Sequence, residues 1–214
     1  MIAPIVMGNR LCQPHQLIGG LGFGHVGKVR QIARSRDIGK LHQLAIGGVA
    51  MIDRDLKAIF SALLGLMALF YLLQNLINLD QAYASLDYVM SQADHAAYPG
   101  NLLPALGPPW TRAAAWLVFA GEFVTAFLAL LGAWKMARAR RLDADEFAAA
   151  KKWAKLGAGM AIIVWFGFFH VFGAAGYQMW QTEIGAGSFQ GAFYYAAFGF
   201  FVLLYLGQRE DEVA

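Results

Sequence analysis

Glu122 lies in the stretch "WLVFAGEFVTAFLALLGAW", Trp116 to Trp134, which is apolar enough to sit in lipid. A carboxyl group there is costly unless it faces protein and meets a partner. Three other polar residues, His170, Tyr195 and Asn75, fall inside separate apolar stretches. Their heights can be counted from the nearest basic residue at 1.5 Å per helical residue. Glu122 is then about 20 Å from Lys135, His170 about 22 Å from Lys155, and Tyr195 about 21 Å from Arg209. Asn75 is somewhat nearer the opposite surface. The spacing predicts a polar layer in which Glu122 faces protein, within direct or one-water reach of His170. The neighbours of Glu122 at helical spacing, Val118, Thr125, Ala126, Ala129 and Ala133, are mostly small and suit close helix contact. Such a layer serves either as a structural hydrogen-bond network or as a proton or ligand site.

Other residue types that could do chemistry are scattered. Asp94 and His95 are adjacent, a weak pattern for a metal, and no metal site is assigned. A bis-histidine haem lacks a second histidine on an apolar segment. The single cysteine, Cys12, excludes an intrachain disulfide. Gly22, Gly24 and Gly27, followed by Lys28, form a G-x-G-x-x-G pattern. A dinucleotide site also needs a strand before it and an acid about twenty residues on, and neither is evident. No nucleophile–base set is recognisable. No cofactor is therefore expected.

The elements that must position these residues are membrane helices. The chain has 58% hydrophobic and 14% charged residues and a mean hydropathy of +0.46. A soluble domain is nearer half apolar and a quarter charged. Four apolar runs, near 56–79, 113–134, 156–177 and 190–206, are long enough to cross a core of about 30 Å. Lipid obliges each segment to satisfy its own backbone, so the expected fold is all-α, a four-helix transmembrane bundle. The connection between the second and third runs holds Lys135, Arg138, Arg140, Arg141, Lys151, Lys152 and Lys155, whereas Asp80, Asp87, Asp94 and Glu183 lie in the other two connections. By the positive-inside rule the basic connection and both termini are cytoplasmic. The expected location is a cell inner membrane. Basic residues beside apolar runs read as topology signals, which argues against nucleic acid as a partner. Between the first two runs, Tyr83, Leu86, Val89 and Met90 recur at helical spacing with the aspartates on another face. They predict an amphipathic helix along the outer surface. "LDADEFAAAKKWAKL" reads as a helix start, with acids early and lysines late.

The first fifty residues differ in kind, with six of the seventeen basic residues and no long apolar run. They are expected to be a disordered or non-native extension, with translation starting at Met51. The membrane domain would then span 51–208, followed by a cytoplasmic tail, 209–214.

"NLINLDQAYASLDYVMSQADHAAYPGN", "GEFVTAFLALLGAWKM" and "YQMWQTEIGAGSFQGAF" occur in that order. The chain thereby resembles a bacterial family of small predicted integral membrane proteins with four spans and no assigned function. The resemblance covers about Met51 to Leu206 and rests on Asn78, Asp80, Tyr98, Pro99, Gly100, Asn101, Gly121, Glu122, Met179, Trp180 and Gln181. Members usually carry a tryptophan–asparagine–glycine element after the last of these, where this chain reads "IGAG". The outer-loop motif of interest is thus Asp80, Asp94, His95, Trp180 and Gln181. Three functional readings follow, in order. The first is an accessory or assembly subunit of an inner-membrane complex. The second is a small oligomeric transporter or proton-coupled permease using Glu122 and His170. The third, ranked last, is an enzyme acting on membrane lipid. The expected partners are the bilayer and either other membrane subunits or further copies of the chain.

Overall fold

Prolines, a carboxylate and a hydroxyl begin three of the helices in the computed structural model, which describes the backbone over residues 24–210 and side chains from residue 47. The chain divides into two compact units, Met1–His42 and Gln43–Ala214. Residues 1–23, more than half of the first unit and nearly half of the expected extension, lie outside the described residues, and over residues 24–50 the backbone is helical. Helix α1 spans Gly24–Ile77 and α2 spans Leu79–Ser91. α3, Pro108–Ala139, opens on the Pro108–Pro109 pair, whose fixed φ suits a first helical turn. α4, Ala144–Ala150, is capped by Asp143, whose Oδ1 accepts from the Glu146 N–H at 2.7 Å. α5, Lys152–Ile162, runs on directly into a π-helical stretch, Ile163–Gly176. After a 3₁₀ turn at Met179–Gln181, Thr182 caps α6, Glu183–Gly207, its Oγ1 accepting from the Gly185 N–H at 3.0 Å.

Four helical segments are long and apolar enough to cross a membrane: Gly47–Ile77, Pro108–Ala139, Ala144–Gly176 and Glu183–Gly207. The last three start earlier than the corresponding apolar run, and the second and fourth also end later. At 1.5 Å per residue the 32-residue second segment, Pro108–Ala139, is about 48 Å long, more than the hydrocarbon core needs. Hydropathy registers only the lipid-facing part, whereas caps set where the helix itself begins.

The segments pack through small residues, as helices in lipid do. A Cβ on Gly132 would meet the backbone of Ala154, and one on Gly157 would lie 2.6 Å from the Ala129 nitrogen, so α3 and α5 touch almost backbone to backbone. On α1, Ser61 Oγ donates to the Ala129 carbonyl at 2.8 Å, and Ala68 is fully buried. The core joins Leu64, Ala126, Ala158, Ala161, Trp165 and Ala196. Large apolar side chains such as Phe123, Phe127, Phe198 and Phe201 point outward, the arrangement a lipid solvent favours. The basic connections gather at one end of this bundle and the two longer motif-bearing connections at the other. They are called here the basic end and the motif end.

The amphipathic helix expected between the first two spans is α2. It does not spread its apolar face on lipid. Leu79, Ala82, Tyr83 and Leu86 pack on Leu72, Ala115 and Phe119, and Thr111 Oγ1 donates to Asp87 at 2.5 Å. The early turns of α3 offer a protein surface at that level, and α2 covers it.

Candidate functional site

α3 turns Glu122 into the bundle, where it is only 2% exposed. The Asn75 amide on α1 donates to both carboxyl oxygens, at 3.2 and 3.1 Å. The α3 face is the expected one: Thr125, Ala126, Ala129 and Ala133 are buried, and Val118 packs against the core. Thr125 Oγ1 donates back to the Gly121 carbonyl at 2.8 Å, which keeps that hydroxyl satisfied within its own helix. Gly121 leaves room for Val164 beside it, with Met160 and Phe168 close by. The carboxyl group is thus closed in by helix contacts and held by one amide.

His170 does not join it. Its ring lies 4.7 Å from Phe189 and 6.1 Å from Phe193 on α6, and stacks on Phe166 at 5.8 Å. Its Nδ1 is 2.9 Å from the Trp165 carbonyl, so that nitrogen carries the proton and donates, while the buried Nε2 has no partner among the described residues. The physical reason is rotation about the helix axis. Met160, Val164 and Phe168 form the side that meets Gly121 on α3. His170 comes two residues later, which in a helix is near the opposite flank. Tyr195 is also apart from Glu122. It packs between Tyr71, at 4.6 Å, and Trp165, at 5.5 Å. Of the four expected residues, the structure brings together Glu122 and Asn75.

At the motif end the two outer connections interlock. Gln181 Oε1 accepts from the backbone N–H groups of Ala97 and Tyr98, at 2.9 and 3.0 Å, and its amide donates to the Tyr98 carbonyl at 3.2 Å. Gln178, held at a φ of 51°, donates to the Gly100 carbonyl at 3.0 Å. The rings of Tyr98 and Trp180 meet edge to face at 5.4 Å, and both remain exposed. His95 is buried, with Nδ1 3.3 Å from Asn101 Oδ1 and Nε2 without a partner among the described residues. Asp94 instead accepts from the Tyr88 hydroxyl, so these adjacent residues do not share a ligand position. That bond to Asp94 is the main cause holding the Tyr88 phenol above its ordinary value, while burial raises Tyr177. Asp80 is exposed on the first turn of α2.

The basic end holds an ion cluster that sequence reasoning missed. Lys57 is fully buried, bonding Asp53 at 2.6 Å and Glu210 at 2.8 Å. Lys151 Nζ also pairs with Glu210 and donates to the Gln208 carbonyl at 2.8 Å. Arg54 donates to the Arg140 and Leu142 carbonyls, at 3.2 and 2.6 Å, and lies over the Phe147 ring. The Tyr205 hydroxyl donates to Asp53 at 2.6 Å. One signal was present: "DRDLK" puts Asp53 and Lys57 four residues apart on one helix face, at the start of an apolar run.

Residues 53–209 match a family model described as "Predicted small integral membrane protein (DUF2165)". No curated protein and no solved structure matches the chain.

Proposed function

The chain belongs to that family of small integral membrane proteins, and from this premise we propose that it serves as an accessory or assembly subunit of a larger complex in a cell inner membrane. The observation that carries the reading is the interlocked motif end. Gln181 and Gln178 fasten the connection after α2 to the turn before α6, and the fastening presents Tyr98 and Trp180 as a paired, exposed aromatic surface. Aromatic anchors on a pre-organised surface are what protein partners most often use. In this reading the basic connection, with Arg138, Arg140, Arg141, Lys151, Lys152 and Lys155, is cytoplasmic, and the aromatic surface faces outward.

A proton-coupled permease using Glu122 and His170 ranks behind it. The carboxyl group is tied to Asn75, and the imidazole is turned toward α6. The test is affinity purification from native membranes in mild detergent. A stoichiometric membrane partner that is lost with Trp180→Ala supports the subunit reading. A homo-oligomer with no second protein overturns it in favour of the oligomeric transporter.

A further inference from the structure

A groove with a volume of about 490 Å³ lies between α1 and α6, walled by Leu63, Met67, Phe198, Phe201 and Val202 and ending at Tyr205. Leu63 and Phe201 are exposed on its sides, so in a bilayer it opens to lipid. Tyr205 joins this apolar channel to the ion cluster: its hydroxyl bonds Asp53, and the Lys57 ammonium lies over its ring at 5.4 Å. Immediately beyond stands the Glu210 carboxylate, bonded to both Lys57 and Lys151, with Arg54 Nε at 4.0 Å. Glu210 is not on a helix. It comes after α6 has ended at Gly207, on the chain that leaves the bundle. The arrangement is therefore a chain-shaped apolar groove, a set of converging cations at its end, and an anion supplied by a tail.

We propose that the groove and the cations form a binding site for an anionic phospholipid of the leaflet at the basic end. One acyl chain lies between α1 and α6, and the phosphate bonds Lys57 and Lys151 in the place that Glu210 holds. A phosphodiester carries one negative charge and acceptor oxygens, as the carboxylate does, so it meets the same donors, and in an anionic phospholipid no tethered ammonium offsets that charge as choline does in phosphatidylcholine. The groove distinguishes a lipid from a free anion, because an apolar wall gains nothing from inorganic phosphate. Glu210 keeps the cations neutralised when no anionic lipid is present. The inference rests on the membrane setting and not on the subunit reading above.

The test uses Glu210→Gln, which keeps the side-chain shape and removes the charge. The full chain is placed in phosphatidylcholine or phosphatidylglycerol nanodiscs. In phosphatidylcholine the variant should melt below the wild type. Phosphatidylglycerol should restore most of that loss while changing the wild type little. No restoration by phosphatidylglycerol overturns the proposal, and restoration in phosphatidylcholine by inorganic phosphate alone overturns its lipid component. Should the variant fail to fold in phosphatidylcholine, it is prepared in phosphatidylglycerol, and lipid retained after delipidation is counted by native mass spectrometry. Glu210→Gln should then retain phosphatidylglycerol about fivefold better than the wild type does, the scale of one basic residue's attraction for an anionic lipid. Leu63→Trp, which fills the groove and leaves the ion cluster intact, should abolish the gain. Equal retention with and without Leu63→Trp sinks the assignment.

Discussion

Glu122 and Asn75 form a two-residue unit, so its energetics can be measured pairwise. Asn75→Leu removes the only amide that donates to the carboxyl oxygens among the described residues and should cost about 1–3 kcal/mol in thermal unfolding, the scale of a buried group left without its partner. Glu122→Gln should cost less, since an amide oxygen still accepts from Asn75. A double-mutant cycle sharpens the contrast: Glu122 and Asn75 should couple, whereas Glu122 and His170 should be additive to within about 0.5 kcal/mol. Coupling between Glu122 and His170 would contradict the geometry. Tyr88 provides a pH prediction outside the membrane segments. Its folded value lies above 10.0 because the hydroxyl donates to Asp94. That bond contributes fully below the unfolded value and is lost as pH rises through the folded one. Ultraviolet titration should find a phenol ionising late, and Asp94→Asn should bring it back toward the ordinary value. What the sequence revealed at this scale was one correct face, that of Glu122 on α3. Counting residues placed Glu122 and His170 at one height. Height does not specify rotation, and the side of the third span facing α3 was not identified from its own neighbours.

At the scale of elements, glycine position decides how near α3 and α5 can lie. Gly157→Ala sets a methyl against the Ala129 backbone and should cost about 1–3 kcal/mol by overpacking. Gly159→Ala, two residues away with open space around it, should be neutral or stabilising by about 0.5–1 kcal/mol, because alanine orders less expensively in a helix. Thermal melts of the two variants in one detergent check both signs. The helices themselves were legible because an apolar run of sufficient length has few alternatives in lipid. The start of α4 was legible too, since Asp143 supplies the carboxylate acceptor that an N-terminus needs. The π-helical stretch over Ile163–Gly176 was not legible. Its residues, "IVWFGFFHVFGAAG", are compatible with an ordinary helix, and the wider hydrogen-bond spacing leaves no compositional mark. α2 was found as an element, but its partner was not, because an apolar face fits lipid and protein equally well.

For the whole molecule, the expected orientation leads to a direct measurement. Reporter fusions after Lys152 and after the last residue should report cytoplasm, and fusions near Asp94 and Glu183 the outer side. A cytoplasmic signal near Asp94 would reverse the assignment. The number of spans was readable from hydropathy. The ion cluster was not, because charges counted as topology signals are silent about which of them converge. Its closing member raises a question of order during synthesis. Lys57 and Glu210 are separated by 153 residues. At a synthesis rate of roughly 5–20 residues per second, that interval is about 8–30 s. Over that time the first helix enters the membrane with a lysine whose second carboxylate has not yet been made. Something else must neutralise or hydrate that end meanwhile, and the ion cluster closes only when Glu210 arrives. A chain stopped before Glu210 would leave Lys57 and Lys151 without that carboxylate, so closure of the basic end waits on a residue made after the fourth span.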